Sequence, residues 1–482
     1  MLHRGMQQLA PENSREAVLA CARDFVEWVE VDVRQTKDGR HVIIHDATVD
    51  RTSNGTGRVD AWTLAEMKLL DFGEWFAPRF RGLQIQTLTE LLELAKGKVN
   101  LCLDCKDVDP EILVAEVLAA EMQDQVVVYG DLGLLAEVHK FCGNTIARMT
   151  KYRPQRMSFE EFANEVEPAA VEIDADLVTR ELCQEIHARG IKVQAKILGP
   201  DWDQPRVWRE MFAAGVDWLQ TDDAAGVRFT DVRSRLSDFP VQIAFHRGAS
   251  RYAPENSLAA IRHAVAMGAD YIEIDIRTTS DAALVLMHDR TVDRTSSGSG
   301  AINDLSAKAL ADLDVGSWFG KPYRDQRVPS LAEGLAAFGE TANAYLDAKD
   351  ITPERLLQAI QEHDLMQRHV VYQSLDYCKR LQELDPAVRT LPPLRGTSDL
   401  DKTLESKPYG VDAAWKALSA NMIEQCHAAG VRVFSDALGE HENLEDYRQA
   451  ISWGIDVIQT DFPLRVLRII ELNASKSVTQ SN

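Results

Sequence analysis

Short runs of aliphatic and β-branched residues alternate along the chain with longer stretches in which apolar positions recur at helical spacing. The clearest helical stretch is "NSLAAIRHAVAMG", where Asn256 or Ser257 is expected to cap the start and Gly268 to end the helix. Strands that alternate with helices in this way are typical of βα units, which build a parallel sheet. The pattern therefore predicts an α/β fold.

The second half of the chain contains eight apolar runs that are predicted to be strands. They read "VQIAFH", "YIEIDIR", "ALVLMHD", "ANAYLDAKD", "HVVYQS", "YGVDAA", "VRVFSDA" and "DVIQTD". Eight strands with intervening helices match a (β/α)8 barrel. In the first half only Met1 and Leu2 precede the corresponding His3, so the first strand there is predicted to be short.

The sequence of the first half of the chain is repeated in the second half. "HRGMQQLAPENS" begins at His3, and the matching "HRGASRYAPENS" begins at His246, 243 positions later. Further along, "VDWLQTD" in the first half matches "IDVIQTD" in the second. A repeat of this length is a whole domain and not a solenoid unit. We therefore predict two tandem (β/α)8 TIM barrels, 1–236 and 237–474, followed by a polar tail, 475–482.

Composition narrows the possible partners. Seventy-five acidic residues against 53 basic ones give a formal net charge of −22, which repels nucleic acids and anionic membranes. No apolar run is long enough for a transmembrane segment. The expected partner is a small molecule, and the oligomeric state stays open. The localisation also stays open between cytoplasmic and, if a signal peptide was removed, periplasmic or secreted.

Acidic residues recur at the ends of predicted strands in both halves. "EVDVR" places Glu30 and Asp32 on one side of a strand, because side chains alternate along it. Asp104 in "LCLDCK" is a third acid at a strand end. The same three acids recur as Glu273, Asp275 and Asp347. Carboxylates held together in this way predict one hard divalent cation in each barrel.

Histidines and basic residues accompany these acids. Two histidines per half end apolar runs and suit general acid/base catalysis near neutral pH: they are His3, His45, His246 and His288. Four basic residues near the acids are candidates for holding an anion such as phosphate: Arg4, Lys106, Arg247 and Lys349. Glu12 and Glu255, in "PENS", either brace the first helix of each barrel or contact the metal or substrate.

These motifs resemble the glycerophosphodiester phosphodiesterase family of the phospholipase-C-like phosphodiesterases. The resemblance rests on "HRG" with "PENS", on "E-x-D" in a strand, and on "HD" followed by "RTSNGTG" or "RTSSGSG". It covers nearly the whole chain, twice. It implies hydrolysis of glycerophosphodiesters to glycerol 3-phosphate and an alcohol, with Mg²⁺ or Ca²⁺ held by the three acids of each barrel and proton transfer by its two histidines. The small, short ligand set favours Mg²⁺.

Two departures from that family bear on the substrate. The third metal ligand is usually glutamate, whereas Asp104 and Asp347 resemble the arrangement in sphingomyelinase D proteins. A lyase that releases a cyclic phosphate is therefore an alternative, as is a barrel that only binds phosphorylated ligands. A late tryptophan of the family is replaced by Lys196 in one half and by Asp436 in the other, which predicts different substrate preferences. Glu172 and Asp412 also align between the two halves.

Overall fold

The chain forms two compact units, Met1–Asp231 and Val232–Asn482. The computed structural model describes residues 1–236, 239–339 and 341–480, with side chains as far as residue 474. The predicted second domain begins at 237, which lies outside the described residues. The predicted tail is helical as far as Gln480, and its last two positions also lie outside the described residues.

The first unit alternates strands and helices in chain order. Its strands are β1 (Trp28–Gln35), β2 (His41–Ile43), β3 (Asn100–Asp107), β4 (Val126–Tyr129), β5 (Ala147–Lys151), β6 (Ala170–Asp174), β7 (Lys192–Lys196) and β8 (Trp218–Gln220). Its helices are α1 (Arg15–Arg23), α2 (Leu64–Met67), α3 (Leu88–Ala95), α4 (Pro110–Ala119), α5 (Leu132–Cys142), α6 (Phe159–Val166), α7 (Arg180–His187), α8 (Pro205–Ala214) and α9 (Ala224–Arg235). The division between the two units falls within α9.

Parallel pairing connects the strands of the first unit in the order β1-β3-β4-β5-β6-β7-β8, and β2 lies antiparallel against the outer side of β1. Leu2 bridges to Val29 of β1 and to Thr221 just after β8. The ring of strands thus closes through a single bridge residue, as the short run before His3 predicted. The fold is the predicted TIM-barrel-like α/β fold.

The second unit repeats this arrangement. Its strands are β9 (Gln242–Phe245), β10 (Tyr271–Thr278), β11 (Leu284–Leu286), β12 (Asn343–Ala348), β13 (His369–Tyr372), β14 (Thr390–Leu391), β15 (Pro393–Leu394), β16 (Gly410–Ala413), β17 (Arg432–Asp436) and β18 (Val457–Thr460). Its helices are α10 (Leu258–Met267), α11 (Ala307–Ala311), α12 (Leu331–Ala337), α13 (Pro353–Glu362), α14 (Leu375–Leu384), α15 (Leu400–Glu405), α16 (Ala420–Ala428), α17 (Leu444–Ser452) and α18 (Pro463–Gln480). Among the described helices of the chain, none is long and apolar enough to span a membrane.

Seven of the eight predicted strands of the second barrel belong to its parallel ring, and the eighth forms a strand outside the ring. "ALVLMHD" forms β11, which pairs antiparallel with β10 and lies off the path of the parallel ring. The missing ring strand is Thr390–Leu394, whose two ends pair with β13 and β16 on either side of Pro392. Adjacent prolines hide this strand in the sequence, since proline removes a backbone donor that a central strand normally uses.

The helix predicted from "NSLAAIRHAVAMG" is confirmed as α10. Ser257 caps it by accepting a hydrogen bond from the backbone of Ala260. Gly268 ends it in a left-handed conformation with φ +75°, which a residue without Cβ adopts at low cost. Asn256 does not cap the helix, and its side chain instead reaches a strand-end acid described below.

The interior of the second barrel is filled by side chains that point inward from the ring strands. They are Ala244, Tyr271, Tyr345, Val370, Leu391, Phe434 and Val457. Two residues further along each strand, the side chain on the same face reaches the carboxyl-end mouth of the barrel. This alternation places the strand-end polar residues in one cleft above a closed apolar core.

Candidate active sites

The three acids predicted to bind metal in the first barrel lie together at its mouth. β1 and β3 pair in register, so that Asp32 lies opposite Asp104. Glu30 and Asp32 are almost completely buried, and one carboxylate oxygen from each of the three acids lies within 4.8 Å of the others. In the second barrel Glu273, Asp275 and Asp347 form the same cluster within the same limit.

A positive charge would stabilise the ionised carboxylates of each cluster. Burial raises the pKa of Glu30 well above its ordinary value, and the neighbouring charges of Asp32 and Asp104 raise it further. The pKa of Glu273 is raised for the same two reasons. Three adjacent carboxylates repel one another unless a cation lies among them, and an all-oxygen donor set suits a hard divalent ion. Both clusters are therefore suited to hold a metal ion.

A lysine accompanies each cluster. The Lys106 ammonium contacts Asp104 and lies 3.2 Å from Oδ1 of Asp32. The Lys349 ammonium contacts Asp347 and lies 3.0 Å from Oδ1 of Asp275. The lysines predicted to bind phosphate thus lie beside the acids at the mouth, where they neutralise part of the cluster's charge.

The "HRG" motif forms a tight turn, which follows Leu2 in the first barrel and β9 in the second, and its backbone contacts the acids. The Arg4 backbone N–H donates to Oε2 of Glu30 over 2.9 Å, and that of Arg247 donates to Glu273 over 2.6 Å. Arg4 adopts φ +54° and Arg247 φ +53°, a strained region for residues with a side chain. After Arg247, Gly248 passes so close to α10 that a Cβ there would lie 2.8 Å from the Cβ of Ala260. The motif therefore needs glycine at this position.

The asparagine of "PENS" positions the buried aspartate of the cluster. Asn13 donates from Nδ2 to Oδ2 of Asp32 over 2.7 Å and accepts from the Asp32 backbone N–H over 3.0 Å. Asn256 makes the same pair of bonds to Asp275. Neither asparagine was predicted as a site residue, although their shared spacing from the histidines in both halves was a usable signal.

All four predicted catalytic histidines pair through Nδ1 with a carboxylate. His3 lies 2.9 Å from Asp222, and His45 lies 2.7 Å from Asp46. In the second barrel the equivalent pairs are His246 with Asp461, at 2.8 Å, and His288 with Asp289, at 2.7 Å. A carboxylate at Nδ1 favours the tautomer that carries its proton there, which leaves Nε2 as the nitrogen for proton exchange.

An arginine connects one histidine–aspartate pair to the "PENS" glutamate. Arg51 donates to Asp46 over 2.7 Å and to both oxygens of Glu12 over 2.7 Å each. Glu12 also accepts from the Arg4 guanidinium over 3.1 Å. Glu12 therefore does not cap α1, whose N-cap is Ser14. We name this hydrogen-bonded series the arginine relay; it consists of His45, Asp46, Arg51, Glu12 and Arg4.

The second barrel contains the arginine relay with the same connections. Arg294 donates to Asp289 over 2.6 Å and to both oxygens of Glu255 over 2.7 Å each. Glu255 accepts from Arg247 over 2.8 Å. The sequence prediction missed both relay arginines, although each follows its histidine at the same distance in "RTSNGTG" and "RTSSGSG".

The sequence was also compared with those of known protein families. The model of the glycerophosphoryl diester phosphodiesterase family matches residues 3–225 and 246–465, which is most of both barrels. The chain belongs to this family. The membership confirms the predicted resemblance and identifies the chain as a phosphoric diester hydrolase.

Two curated relatives and one solved structure illustrate the match. Glycerophosphodiester phosphodiesterase of Bacillus subtilis strain 168 is 33% identical over 244 residues, which are 45% of this chain and 82% of that protein. The enzyme of that name from Caldanaerobacter subterraneus subsp. tengcongensis is 28% identical over 235 residues, 47% of this chain and 96% of its own length. A glycerophosphodiester phosphodiesterase structure from Agrobacterium tumefaciens strain C58 is 27% identical, with a TM-score of 0.42, and covers 46% of this chain and 94% of that one.

The two phosphodiesterase barrels differ on the strands opposite their acidic clusters. In the first, the buried Glu172 accepts from Tyr129 over 3.0 Å and from Gln194 over 3.2 Å, and the Lys151 ammonium lies 3.9 Å away. Lys196, at the end of β7, is exposed and makes no ion pair within the described part of the chain. The buried acid of this barrel is therefore stabilised by two hydrogen bonds and a nearby cation.

In the second phosphodiesterase barrel, Asp412 takes the place of Glu172. It accepts from the Tyr345 hydroxyl over 3.1 Å, but no lysine or arginine among the described residues pairs with it. Burial raises the pKa of Asp412 to about 8, and the charge of Asp436 contributes to that rise. Burial also raises the pKa of Asp436. This side of the mouth thus carries Asp412 and Asp436, where the first barrel carries Glu172 and Lys196.

Proposed function

We propose that each barrel hydrolyses glycerophosphodiesters to glycerol 3-phosphate and an alcohol, in a reaction that depends on a divalent cation. The observation that carries this proposal is the coincidence, in both barrels, of a buried three-carboxylate cluster with two carboxylate-paired histidines at the same mouth. Family membership agrees with the reaction class. The proposal also follows the printed names of the relatives described above.

The acids are proposed to hold one Mg²⁺ or Ca²⁺ ion in each barrel, with Mg²⁺ favoured by the short ligand set. Glu30, Asp32 and Asp104 are the ligands of the first barrel, and their equivalents are those of the second. When bound, the ion supplies Lewis-acid stabilisation of the charge on the phosphoryl oxygens. The Asn13 side chain donates to Asp32 and the Arg4 backbone N–H donates to Glu30, which holds these carboxylates in place before substrate arrives.

The histidines are proposed to move the protons. One Nε2 takes a proton from the nucleophile, and the other donates a proton to the departing alkoxide. The paired carboxylates stabilise the imidazolium that forms at each histidine. The Arg4 guanidinium and the Lys106 ammonium are close enough to the acids to contact a phosphate held between them, and Arg247 and Lys349 are their counterparts.

The test is a panel of glycerophosphodiesters incubated with the metal-free protein and with added Mg²⁺ or Ca²⁺, with products identified by phosphorus NMR. We expect glycerol 3-phosphate only when a divalent ion is present, and abolition of activity by excess EDTA. Full turnover after verified metal removal would overturn the metal dependence. A cyclic phosphate as the final product would show a lyase, and binding without cleavage of any ester would show a binding module.

A further inference from the structure

An acid from a neighbouring loop lies behind the aspartate that pairs with His3. This acid is Asp203, between β7 and α8. Its Oδ2 accepts from the Asp222 backbone N–H over 2.6 Å, and its Oδ1 accepts from the Thr221 hydroxyl over 2.7 Å. The indole of Trp208 donates to the same Oδ1 over 2.8 Å. Both carboxylate oxygens are therefore used, and they hold the turn that follows β8.

This turn contacts His3 in two ways. The Thr221 carbonyl accepts from the His3 backbone N–H over 3.0 Å, and Oδ1 of Asp222 lies 2.9 Å from Nδ1 of the ring. Thr221 is almost completely buried, and its hydroxyl, besides donating to Asp203, accepts from the Asp223 backbone N–H over 2.8 Å. The positions of both the histidine backbone and its ring therefore depend on a turn that Asp203 holds.

The second barrel has the same arrangement with a glutamate. Glu442 lies 239 positions after Asp203, which is also the separation of the two paired aspartates. Its Oε1 accepts from the Asp461 backbone N–H over 2.7 Å and from the Thr460 hydroxyl over 3.0 Å. The Thr460 carbonyl in turn accepts from the His246 backbone N–H over 3.4 Å. The buried carboxylate of Glu442 thus holds the equivalent turn.

The aromatic residue that supports each arrangement contacts a different member of it. Trp208 donates to Asp203, whereas the Tyr447 hydroxyl, at the equivalent position of the second barrel, lies 2.7 Å from Oγ1 of Thr460. Glutamate is one methylene longer than aspartate, and the neighbouring ring differs as well. Two different sets of side chains therefore make the same two contacts to the turn, which indicates that these contacts are what the acid provides.

The orientation of the paired aspartate matters for the histidine. A carboxylate at Nδ1 selects the ring nitrogen that carries the proton and fixes the direction of Nε2. A backbone N–H that loses its acceptor in a buried turn costs free energy, so the turn would rearrange to find another partner. Such a rearrangement would move the aspartate and with it the imidazole.

We propose that Asp203 and Glu442 are positioning residues, which hold the Nδ1 partners of His3 and His246 in the orientation that proton transfer needs. The inference rests on the proposed function, in which these histidines move the protons. Both acids act through the turn and take no part in the reaction themselves. Their loss should therefore lower kcat and leave KM nearly unchanged.

The first test uses the full-length His288→Ala protein, in which turnover comes from the first barrel, and the ester of the panel that is cleaved best. Asp203→Asn replaces one acceptor oxygen by a donor and should lower kcat by about 10- to 100-fold, with KM changed by less than about twofold. Asp217→Asn is the matched control. Asp217 also accepts from a backbone N–H, that of Val193 over 2.8 Å, but it lies before β8, at the other end of the strand. This control should leave kcat unchanged.

The second test uses the His45→Ala protein, in which turnover comes from the second barrel. Glu442→Gln should lower kcat by about 10- to 100-fold. Glu442→Asp keeps a carboxylate and takes the residue type of the first barrel, so it should retain most of kcat. An equal loss of kcat in these two variants, or an effect on KM alone, would overturn the inference while leaving the proposed function intact.

Nitrogen NMR of the histidine rings tests the inference without turnover. The signals of His3 and His246 are identified by their absence in His3→Gln and His246→Gln. We expect His3 to carry its proton on Nδ1, and Asp203→Asn to give a mixture of the two tautomers while His246 is unchanged. Unchanged His3 signals would overturn the inference. If the single histidine variants cleave no ester, the proposed function fails, and this comparison alone decides the inference.

Discussion

In the first barrel the buried Glu172 is surrounded by Tyr129, Gln194 and Lys151, whereas in the second barrel Asp412 has a tyrosine and a neighbouring acid. On the opposite side of each mouth the two barrels agree residue by residue. The acidic cluster, the paired histidines and the arginine relay recur with nearly the same distances. The duplication has kept the side that is proposed to act on phosphate and has changed residues on the other side of the mouth.

The largest expected effect tests whether both barrels are active. Removing a general acid or base typically costs about 100- to 10,000-fold at its site. His45→Ala should therefore silence only the first barrel, His288→Ala only the second, and the double variant should be nearly inactive in a phosphodiester hydrolysis assay. If one single variant already abolishes all activity, the other barrel is a scaffold or a binding domain.

The arginine relay should matter equally in the two barrels. Arg51→Ala measured in the His288→Ala background, and Arg294→Ala measured in the His45→Ala background, should each lose about 10- to 100-fold in kcat, because each frees the aspartate that orients a histidine. The pH profile of kcat should shift as well, since the pKa of Asp46 or Asp289 is held low by the arginine. Lysine substitutions should restore only part of the loss, because lysine cannot form the same bidentate pairs. An unchanged pH profile would reduce the relay to a structural role.

The asparagine contacts predict a matched loss of stability. Asn13→Ala and Asn256→Ala each remove two hydrogen bonds to a buried aspartate and should lower the free energy of unfolding of their own barrel by about 1–3 kcal/mol. Urea denaturation followed by circular dichroism measures this loss. Added Mg²⁺ should reduce it, and a loss below about 0.5 kcal/mol would contradict the assigned role.

The smallest expected effect is on the pH dependence of the free energy of unfolding, which should distinguish Asp412 from Glu172. The pKa of Asp412 is raised from about 4 to about 8, so between these values the folded protein keeps a proton that the unfolded chain has released. The free energy of unfolding therefore falls as the pH rises through this range. Asp412→Asn should be more stable than the unmodified protein at pH 8.5, by about 1–2 kcal/mol, and the gain should shrink at pH 5.

Glu172→Gln is the matched control for that measurement. Glu172 accepts two hydrogen bonds and has a lysine nearby, so its amide variant should gain no stability at pH 8.5. The same urea curves serve both variants. Equal behaviour of the two amide variants would show that the barrels do not differ in the way the contacts indicate.

Much of the site was accessible from the sequence because its signals are local and occur twice. The "E-x-D" spacing places two carboxylates on one strand face by the two-residue period of a strand. The repeated "HRG", "PENS", "E-x-D" and "HD" motifs identified the family, which the comparisons confirm. Partners that lie far away in the chain were missed. Asp222 and Asp461, for instance, reach their histidines from positions just after the last strand of each barrel.

The sequence by itself determined that there are two barrels, which residues recur in both, and that the charge at the end of the seventh ring strand is reversed. Only the tertiary structure decided that Thr390–Leu394 completes the second ring in place of β11, because strand membership depends on partners distant in the chain. It also decided that Asp412 lacks a basic partner while Glu172 has one. The environment of a buried charge is set by side chains from several strands, and no local pattern contains that information.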